Sequence, residues 1–274
     1  PPLWRTSSEV ITLDWNNLGD LVDICNNIDV VIHAAGMNAK DCASHPSAAM
    51  QFNGFATEKL INACIKSNVS KFIYLSTAHV YQSQFKGNIF EETPLENMHP
   101  YATSNKAGED AVLLASRNKM IEATILRLSN AVGTPTHLHA NCWMLAVNDF
   151  CKQVVENREI SVNSNRLTER DFFPISLLCE TIKNIIFNKN NNFNILNVSS
   201  SKTLTLEKIV NLVSERSRLI LGISPNVIFK NNNKLIDKYD FCINNAKLKE
   251  SINPKINLDE EVDSLLLNCK SWFS

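Results

Sequence analysis

Residues 29–36, DVVIHAAG, run through three β-branched residues and end in a turn of small residues. This composition predicts a buried β-strand. A helical pattern follows over residues 46–68, and the next apolar run, KFIYLS at residues 71–76, predicts a second strand. A strand, a long helix and another strand together predict a parallel β-α-β unit, which decides the fold class.

The same alternation extends in both directions from that unit. Residues 10–13 are predicted to be a short buried strand, and residues 18–26 a short helix. Downstream, residues 100–118 are predicted to be helical and residues 123–128 to be a strand. The strands are continuous apolar runs, which is typical of a parallel sheet covered on both faces. Residues 1–134 are therefore predicted to form a doubly wound α/β domain.

The second part of the chain, residues 135–274, is predicted to be a smaller α/β lobe. Its predicted helices cover residues 141–156, 175–188, 205–217 and 258–272. Its predicted strands cover residues 159–163, 170–173 and 193–198. Segments near residues 170–198 are expected to return to the first domain.

Composition limits the classes of protein to which the chain can belong. The 274 residues carry a net charge of −1, with 44% hydrophobic and 20% charged residues, which is typical of a soluble globular protein. Near-neutral charge gives no electrostatic reason to bind nucleic acid or an anionic membrane. The longest apolar runs, such as residues 30–35, are far shorter than the roughly 20 residues of a membrane-spanning helix.

The cysteines indicate the compartment. Eight cysteines occur and no two of them form a C-x-x-C pair, so neither a zinc site nor a redox motif is supported and no metal is predicted. Residues 1–5, PPLWR, show no basic region followed by an apolar stretch, so no signal peptide is expected. These features predict reduced thiols in a cytoplasmic protein.

Three segments carry polar residues suited to chemistry at the ends of predicted strands. They are STAHVY at residues 76–81, PYATSNKAGE at residues 100–109 and RLSNAVGTP at residues 127–135. Because parallel sheets bind ligands beyond the carboxyl ends of their strands, hydroxyl and amide groups there can reach a substrate. Each segment alone also has a plainer explanation: backbone capping, half-buried packing of a tyrosine and an ordinary turn.

Taken in order, these segments resemble the extended short-chain dehydrogenases/reductases of the NAD-dependent sugar-nucleotide epimerase/dehydratase family. The strand at residues 29–36, the N-x-x-x-T-x-x-L-I segment from Asn53, ERDFF at residues 169–173 and the stretch 240–260 fit the same family. The resemblance implies a Rossmann-like fold that lacks its first β-α-β units. Residues 1–134 would be a partial NAD(P)-binding domain, and residues 135–274 mainly a substrate-binding lobe.

The resemblance also implies roles for individual residues. Thr77 takes the place of the catalytic Ser/Thr that polarises the reacting sugar oxygen. Tyr101 takes the place of the acid/base that exchanges a proton with that oxygen while hydride moves to or from the nicotinamide. Further substrate contacts are expected from His79, Asn130 and Arg170, the last two at the diphosphate or nucleoside. Contacts to NAD or NADP are expected from Asp14, Ala34, Ala35, Gly36, Asn53, Ser76 and Tyr101.

The chain departs from the family at its start. The family begins with a strand and a G-x-x-G-x-x-G loop whose backbone approaches the cofactor pyrophosphate. Here the first glycine is Gly19. The chain is therefore interpreted as a fragment of a longer product that lacks two strands and their helices. The alternative interpretation is a natural truncation that does not bind NAD(P) normally.

A second departure concerns the tyrosine's partner. The family carries Tyr-x-x-x-Lys, but the fourth position after Tyr101 holds Asn105, and Lys106 follows. On a helix, Lys106 points roughly 140° away from Tyr101 and cannot replace the missing ammonium. A neighbouring cation lowers a tyrosine pKa from about 10 toward neutrality, and Asn105, in the catalytic lysine's place, brings none. Either the nicotinamide cation performs this role alone, or activity is weak or lost.

A third departure bears on the reaction. Sugar 4,6-dehydratases carry an Asp-Glu pair where this chain has Ala78 and His79. Ala78 cannot transfer a proton, so an epimerase or ketoreductase is favoured over a dehydratase. His79 has an ordinary pKa suited to proton transfer. It is interpreted either as facing the substrate or as packing beside the site.

The leading interpretation is an NAD(P)-dependent oxidoreductase or epimerase that acts on a nucleotide-activated sugar. A sugar-nucleotide 4-ketoreductase would use the same residues with net hydride transfer. A different class of protein is the alternative: a catalytically impaired pseudoenzyme that binds a nucleotide or a partner. The Asn105 substitution favours that alternative, whereas Thr77, Tyr101, Asn130 and Arg170 favour an enzyme.

The resemblance further implies a homodimer built from the two long helices, residues 46–68 and 100–118, as a four-helix bundle. Both helices carry apolar residues at helical spacing: Ala56, Leu60, Ala63 and Cys64 on the first, and Ala107, Ala111 and Leu114 on the second. Packing of the helices on the sheet would explain these stripes equally well.

Overall fold

The computed structural model describes residues 8–15, 17–188, 193–230 and 240–274. The start of the chain, from which the absence of a signal peptide was predicted, lies outside the described residues. The helices are α1 Leu18–Cys25, α2 Ala39–Ser44, α3 Pro46–Ala49, α4 Ala56–Lys66, α5 Pro100–Arg117, α6 Ala146–Asn157, α7 Ile175–Phe187, α8 Leu206–Leu221, α9 Ala246–Ser251 and α10 Leu258–Phe273. The strands are β1 Val30–His33, β2 Lys71–Thr77, β3 Gly87–Ile89, β4 Glu122–Leu128, β5 Asn130–Val132, β6 Glu159–Val162, β7 Glu169–Pro174, β8 Ile195–Val198, β9 Thr203–Thr205, β10 Asn226–Phe229 and β11 Phe241–Ile243.

The central sheet has four parallel strands in the order β1-β2-β4-β8. His33 pairs with Tyr74, and Thr77 pairs with Leu128, so β2 runs three residues beyond its pairing with β1. The polar segment that follows β2 therefore leaves the sheet at its carboxyl edge, where parallel sheets bind ligands. The predicted doubly wound α/β fold with a parallel sheet is confirmed.

Helices cover both faces of this sheet. On one face, Leu21 of α1, Leu60 of α4 and Val112 of α5 pack with the strand residues Phe72 and Ile125. On the other face, α7 and α9 contribute Leu177 and Leu248 to a second apolar cluster with Ile73, Leu126 and Leu196. Because the strands are buried on both sides, their sequences are continuous apolar runs.

The second half of the chain builds its own apolar cluster from α6, α8 and α10 with the parallel pair β6-β10. A small three-stranded sheet has the strand order β5-β7-β9. In it β5 and β7 are parallel, and β7 and β9 are antiparallel. The strand β8 pairs with β4, so the chain returns to the central sheet after the helix α7. None of the described helices is long and apolar enough to cross a membrane.

Two predicted elements differ from the structure. Residues 10–13 form no strand within the described part of the chain, and Val10 and Ile11 are each 53% exposed. An apolar run becomes a strand only where another strand pairs with its backbone. The helix predicted from residue 141 begins at Ala146, because residues 141–145 form turns and Leu145 has an extended backbone.

The apolar stripe on α5 is not the side of the helix that faces the sheet. The buried face of α5 includes Asn105, Gly108, Glu109 and Val112, whereas Leu114 is 62% exposed. The sheet-facing side is partly polar because it carries side chains that bond to groups on β2 and β4. Of the two explanations left open for the stripe, packing on the sheet therefore does not account for Leu114.

Candidate active site

Thr77 and Tyr101 meet at the carboxyl edge of the central sheet. Thr77 ends β2, is only 3% exposed, and its Oγ1 accepts a hydrogen bond from the His79 backbone N–H at 3.1 Å. Tyr101 lies in the first turn of α5, and the Thr77 side chain is close enough to its hydroxyl to lower the pKa of that group. That turn is fixed by Pro100 and by His99, whose Nδ1 accepts from the Tyr101 N–H at 3.1 Å.

Among the described residues, no cation lowers the pKa of Tyr101. Burial raises the pKa of the Tyr101 hydroxyl, and the neighbouring Thr77 hydroxyl offsets only part of that effect. Asn105, in the place of the family's lysine, donates from Nδ2 to the Tyr101 carbonyl at 2.7 Å and accepts from the Tyr74 hydroxyl at 3.2 Å. Lys106 bonds Asp110 on the exposed side of α5. The tyrosine therefore has its hydroxyl partner but lacks a positive charge.

His79 stands beside this pair. Its ring lies 5.7 Å from the Phe85 ring and 6.3 Å from the Tyr101 ring, centroid to centroid. The pKa of His79 is below its ordinary value, chiefly because the surrounding protein desolvates the ring and further because of the Arg170 cation. His79 is therefore neutral at neutral pH.

Arg170 and Asn130 come to the same edge on the small sheet β5-β7-β9. Asn130 donates from Nδ2 to the Asp171 carbonyl at 2.8 Å, which ties the loop after β4 to β7. The carboxylate of Asp171 is buried and accepts from Ser129 Oγ at 2.5 Å. Burial lowers the pKa of Arg170, but a guanidinium starts so high that it keeps its charge. Arg170 thus presents a cation toward His79.

Asn53 braces the loop that follows β1. It lies in a π-helical turn, Met50–Phe55, of the kind often found at functional sites. Its Oδ1 accepts from the Met37 N–H at 2.8 Å, and its Nδ2 donates to Ser104 Oγ at 3.0 Å. A Cβ on Gly36 would lie 3.4 Å from Asn53 Oδ1. Asn53 therefore helps to fix the loop after β1, in which Ala34, Ala35 and Gly36 are exposed.

Ser76 points into the protein instead of into the open cleft. It is 4% exposed, and its Oγ donates to Glu109 Oε1 at 2.5 Å. Glu109 in turn forms a buried, bidentate pair with Arg127 of β4, with Arg127 Nη2 2.7 Å from Glu109 Oε2. The predicted role of Ser76 as a direct cofactor contact would require this bond to open.

A pocket of about 450 Å³ lies next to the loop after β1. Its walls include Trp15, Met37 and Phe52, and Lys59 is the charged residue of its lining. Trp15 follows the exposed Asp14, and its ring packs against His33 and Phe52. A flat, mainly apolar pocket beside small strand-end residues fits one aromatic base and the adjoining ribose of a dinucleotide.

The structure thus brings together five of the predicted residues, with Asn53 and Ser76 immediately behind them. The five are Thr77, His79, Tyr101, Asn105 and Arg170. Asp14 lies outside this group, next in the chain to Trp15, which lines the neighbouring pocket. Sequence reasoning missed His99, Ser104 and Tyr74, which fix Tyr101, Asn53 and Asn105. A signal existed for His99 alone, since it precedes a proline at a helix start.

The fold and the site define a Rossmann-like α/β protein with a tyrosine–threonine pair at the carboxyl edge of its sheet. The chain belongs to the NAD dependent epimerase/dehydratase family, whose model matches residues 2–198. The predicted family and its NAD-type cofactor are confirmed at this level. Among the described residues, no group of three candidate metal ligands occurs.

Curated relatives are distant and longer. A protein of Bacillus subtilis named as an uncharacterized UDP-glucose epimerase is 23% identical over 72% of this chain and 61% of its own length. A dTDP-D-glucose 4,6-dehydratase of Mus musculus is 27% identical over 65% of this chain and 51% of its own. The chain thus spans between half and two thirds of the length of these relatives.

Solved structures share the fold over nearly the whole chain. The protein RMD from Pseudomonas aeruginosa, complexed with NADPH, has a TM-score of 0.80 at 18% identity, over 95% of this chain and 88% of its own. A UDP-glucuronic acid 4-epimerase from Bacillus cereus, in complex with UDP-glucuronic acid and NAD, has a TM-score of 0.78 at 20% identity, over 94% of this chain and 80% of its own. At these identities the likeness establishes the fold alone.

Proposed function

We propose that the protein is an NAD(P)-dependent oxidoreductase of nucleotide-activated sugars, with epimerisation as its leading reaction. The observation that carries this proposal is the placement of Thr77, at the end of β2, beside Tyr101, in the first turn of α5, at the carboxyl edge of the sheet. Relatives named as epimerases and dehydratases of UDP-glucose and dTDP-glucose support the substrate class. A sugar-nucleotide 4-ketoreductase would use the same pair.

In this proposal each side chain has a defined task. A bound NAD(P) supplies the hydride acceptor and donor. Thr77 donates a hydrogen bond to the reacting sugar oxygen, and Tyr101 takes or returns the proton of that oxygen. Asn130 and Arg170 hold the anionic diphosphate, since amide and guanidinium groups are suited to phosphate oxygens. Ala34, Ala35 and Gly36 leave room for close approach of the dinucleotide, and the pocket beside Trp15 receives its adenine.

A second candidate function is supported by the surroundings of Tyr101. Burial raises its pKa and no described cation opposes this effect, so the tyrosine is a poor base at neutral pH. A protein that binds a nucleotide sugar or a partner but turns over slowly, or not at all, would have this property. Both candidate functions predict that the protein binds a nucleotide sugar, and only the enzyme predicts efficient turnover of it.

The test uses the whole chain with NAD, NADP and three probes: UDP-glucose, UDP-glucuronic acid and dTDP-glucose. Binding is measured by calorimetry, epimerisation by separating the two epimeric nucleotide sugars, and net reduction by nicotinamide absorbance. If the enzyme proposal is correct, Tyr101→Phe lowers hydride transfer by about 100-fold or more while the probe still binds. Unchanged turnover in this variant would rule out the acid/base role. Binding without turnover in the wild type would favour the second candidate.

We also propose a homodimer through α4 and α5. Phe55 and Leu114, which lie at the start of α4 and on α5, are 53% and 62% exposed, so these helices keep apolar surface that the sheet does not cover. We expect light scattering to give twice the chain mass, and Leu114→Glu to give the monomer. A monomeric wild type would contradict this proposal.

The eight cysteines are all described and all free, which supports a cytoplasmic location.

A further inference from the structure

One carboxylate of the helix α10 contacts a helix that belongs to a different apolar cluster. α10 packs with α6 and α8 through Val262, Leu265 and Leu266. Glu261, on the same helix, is half-buried, and its Oε1 accepts a hydrogen bond from the Ser176 N–H of α7 at 3.0 Å. α7 belongs to the cluster on the central sheet. Glu261 therefore joins two parts of the molecule that each have their own apolar cluster.

The start of α7 lacks a capping side chain of its own. Its N-cap residue is Pro174, which makes no side-chain hydrogen bond. Ser176 is the second residue of the helix, so its N–H has no acceptor within the helix. A carboxylate at a helix N-terminus is also favoured by the helix dipole. Glu261 therefore caps α7 from another helix, a role that usually belongs to the residue just before the helix.

The same carboxylate lies against the turn that follows β5. A Cβ on Gly133 would lie 3.0 Å from Glu261 Oε2 and 2.2 Å from Cγ2 of Ile175, the first residue of α7. So close an approach requires a residue without a side chain. β5 and β7 pair in parallel up to Val132 and Pro174, directly before this turn and before α7. The Glu261 carboxylate therefore lies at the ends of two paired strands.

Two further hydrogen bonds attach this turn to the same cluster of helices. Thr134 Oγ1 donates to Ser264 Oγ of α10 at 3.1 Å. Asn148 Nδ2 of α6 donates to the Gly133 carbonyl at 3.3 Å. The turn is thus held by α6 and α10 together, and α10 contributes both a charged and a neutral contact.

We propose that Glu261 is a positioning residue for substrate binding. It latches α10 to the strand pair β5-β7, on which Asn130 and Arg170 lie. The latch consists of the contacts of Glu261 with the Ser176 N–H and with the turn at Gly133. This inference rests on the proposed function, in which Asn130 and Arg170 hold the substrate diphosphate. Glu261 touches no ligand and acts only by fixing the strand pair against α6 and α10.

The first test measures amide exchange of the whole chain and needs no ligand. In Glu261→Ala the Ser176 amide loses its acceptor, so its exchange with deuterium should become about fivefold faster or more. Glu261→Gln keeps an oxygen that can accept from the same N–H, and its exchange should stay close to that of the wild type. Glu180→Ala, which removes an exposed carboxylate of α7, is the matched control. Unchanged exchange at Ser176 in Glu261→Ala would overturn the latch.

The second test measures binding of UDP-glucose by calorimetry. Glu261→Ala should bind this probe about fivefold more weakly or worse, and Glu261→Gln should bind it like the wild type. A Glu261→Ala variant with wild-type affinity would overturn the positioning role even if Ser176 exchanges faster. If the wild type binds no nucleotide sugar, the proposed function fails and the positioning role with it. The exchange measurement then still decides whether the latch exists.

A covalent replacement of the latch separates positioning from capping of α7. The Thr134 and Ser264 hydroxyls are 3.1 Å apart, so cysteines at these positions are close enough for a disulfide. In Glu261→Ala/Thr134→Cys/Ser264→Cys, oxidation should restore binding of UDP-glucose, and reduction should abolish the gain. A cap on α7 alone would not give this result, because the disulfide leaves Ser176 without an acceptor. Wild type treated with the same oxidant controls for the native thiols. A bridged variant that binds no better than its reduced form would refute the positioning role.

Discussion

Asn105 is the single residue that most affects what the site can do. Its two polar groups are already used, one on the Tyr101 carbonyl and one on the Tyr74 hydroxyl. The side chain is 6% exposed and lies one helical turn before Glu109. Asn105 therefore fills the position of the missing ammonium with neutral hydrogen bonds, and it holds Tyr101 in place without activating it.

Replacing Asn105 by lysine should restore an activated tyrosine. In Asn105→Lys, the ammonium would lie beside both Tyr101 and the carboxylate of Glu109, so the pKa of Tyr101 should fall by about one unit or more. Alkaline titration of phenolate absorbance measures this change, and the difference between Asn105→Lys and Asn105→Lys/Tyr101→Phe assigns it to Tyr101. Asn105→Gln, which is neutral, should leave the pKa where it is. An identical titration in the lysine variant would contradict the expected activation.

At the level of secondary-structure elements, a buried ion pair joins the strands to the helix that carries the tyrosine. Arg127 of β4 and Glu109 of α5 are 3% and 0% exposed in their side chains. Arg127 also donates to the Glu91 carbonyl at 2.9 Å and lies over the Tyr81 ring at 4.8 Å. Because Ser76 of β2 donates to the same carboxylate, the pair sets the position of α5 relative to the strand that ends at Thr77.

Breaking the Arg127–Glu109 ion pair should lower the free energy of unfolding substantially. Arg127→Met leaves the Glu109 carboxylate buried without a counter-ion, and we expect a loss of about 3–5 kcal/mol in the free energy of unfolding. The double variant Arg127→Met/Glu109→Gln should recover part of that loss, because it also removes the buried charge. Urea denaturation measures the free energy of unfolding of the single and the double variant. Asp110→Ala, which removes the exposed pair with Lys106, should change stability by about 1 kcal/mol or less. Equal effects of the buried and exposed changes would contradict this role.

For the molecule as a whole, a buried histidine should set part of the acid stability. His33 ends β1, is 3% exposed and lies between the Tyr74 and Trp15 rings. Burial lowers its pKa from 6.5 to about 4. Thr57 Oγ1 donates to the Asn53 carbonyl and stands 2.9 Å from His33 Nε2, so this nitrogen is the donor. The depressed pKa keeps the ring neutral at neutral pH.

The sign of the pH effect follows from that depressed pKa. The unfolded chain binds a proton at His33 below about pH 6.5, and the folded chain does so only below about pH 4, so stability should fall as pH drops through this window. The full effect is roughly 3 kcal/mol. The free energy of unfolding, measured at several pH values, should depend less on pH in His33→Gln than in the wild type. His45→Gln, at an exposed site, should follow the wild type, and equal slopes in all three proteins would refute the prediction.

The central architecture was predictable because it depends on patterns that are local in the chain. The apolar runs at residues 30–33 and 71–77, with a long helical pattern between them, predicted a parallel α/β sheet before any contact was known. Strand burial on both faces leaves a continuous apolar signature, and a connection through a helix requires parallel pairing. The short strands β3, β10 and β11 were not predicted, since each has only three or four residues and forms through a partner distant in the chain.

Sequence order also placed Thr77, Tyr101 and Asn105 correctly relative to elements, because strand ends and helix starts carry recognisable residues. It could not decide which polar residues face the cleft. Ser76 and Thr77 are adjacent and alternate across the strand, so one bonds Glu109 inside the protein and the other meets Tyr101 at the site. The Arg170 cation that lowers the pKa of His79 comes from β7, which is far from His79 in the chain. The amino-acid sequence by itself thus determines the sheet and the candidate site residues. The burial and the electrostatic surroundings of each candidate residue depend on segments that only folding brings together.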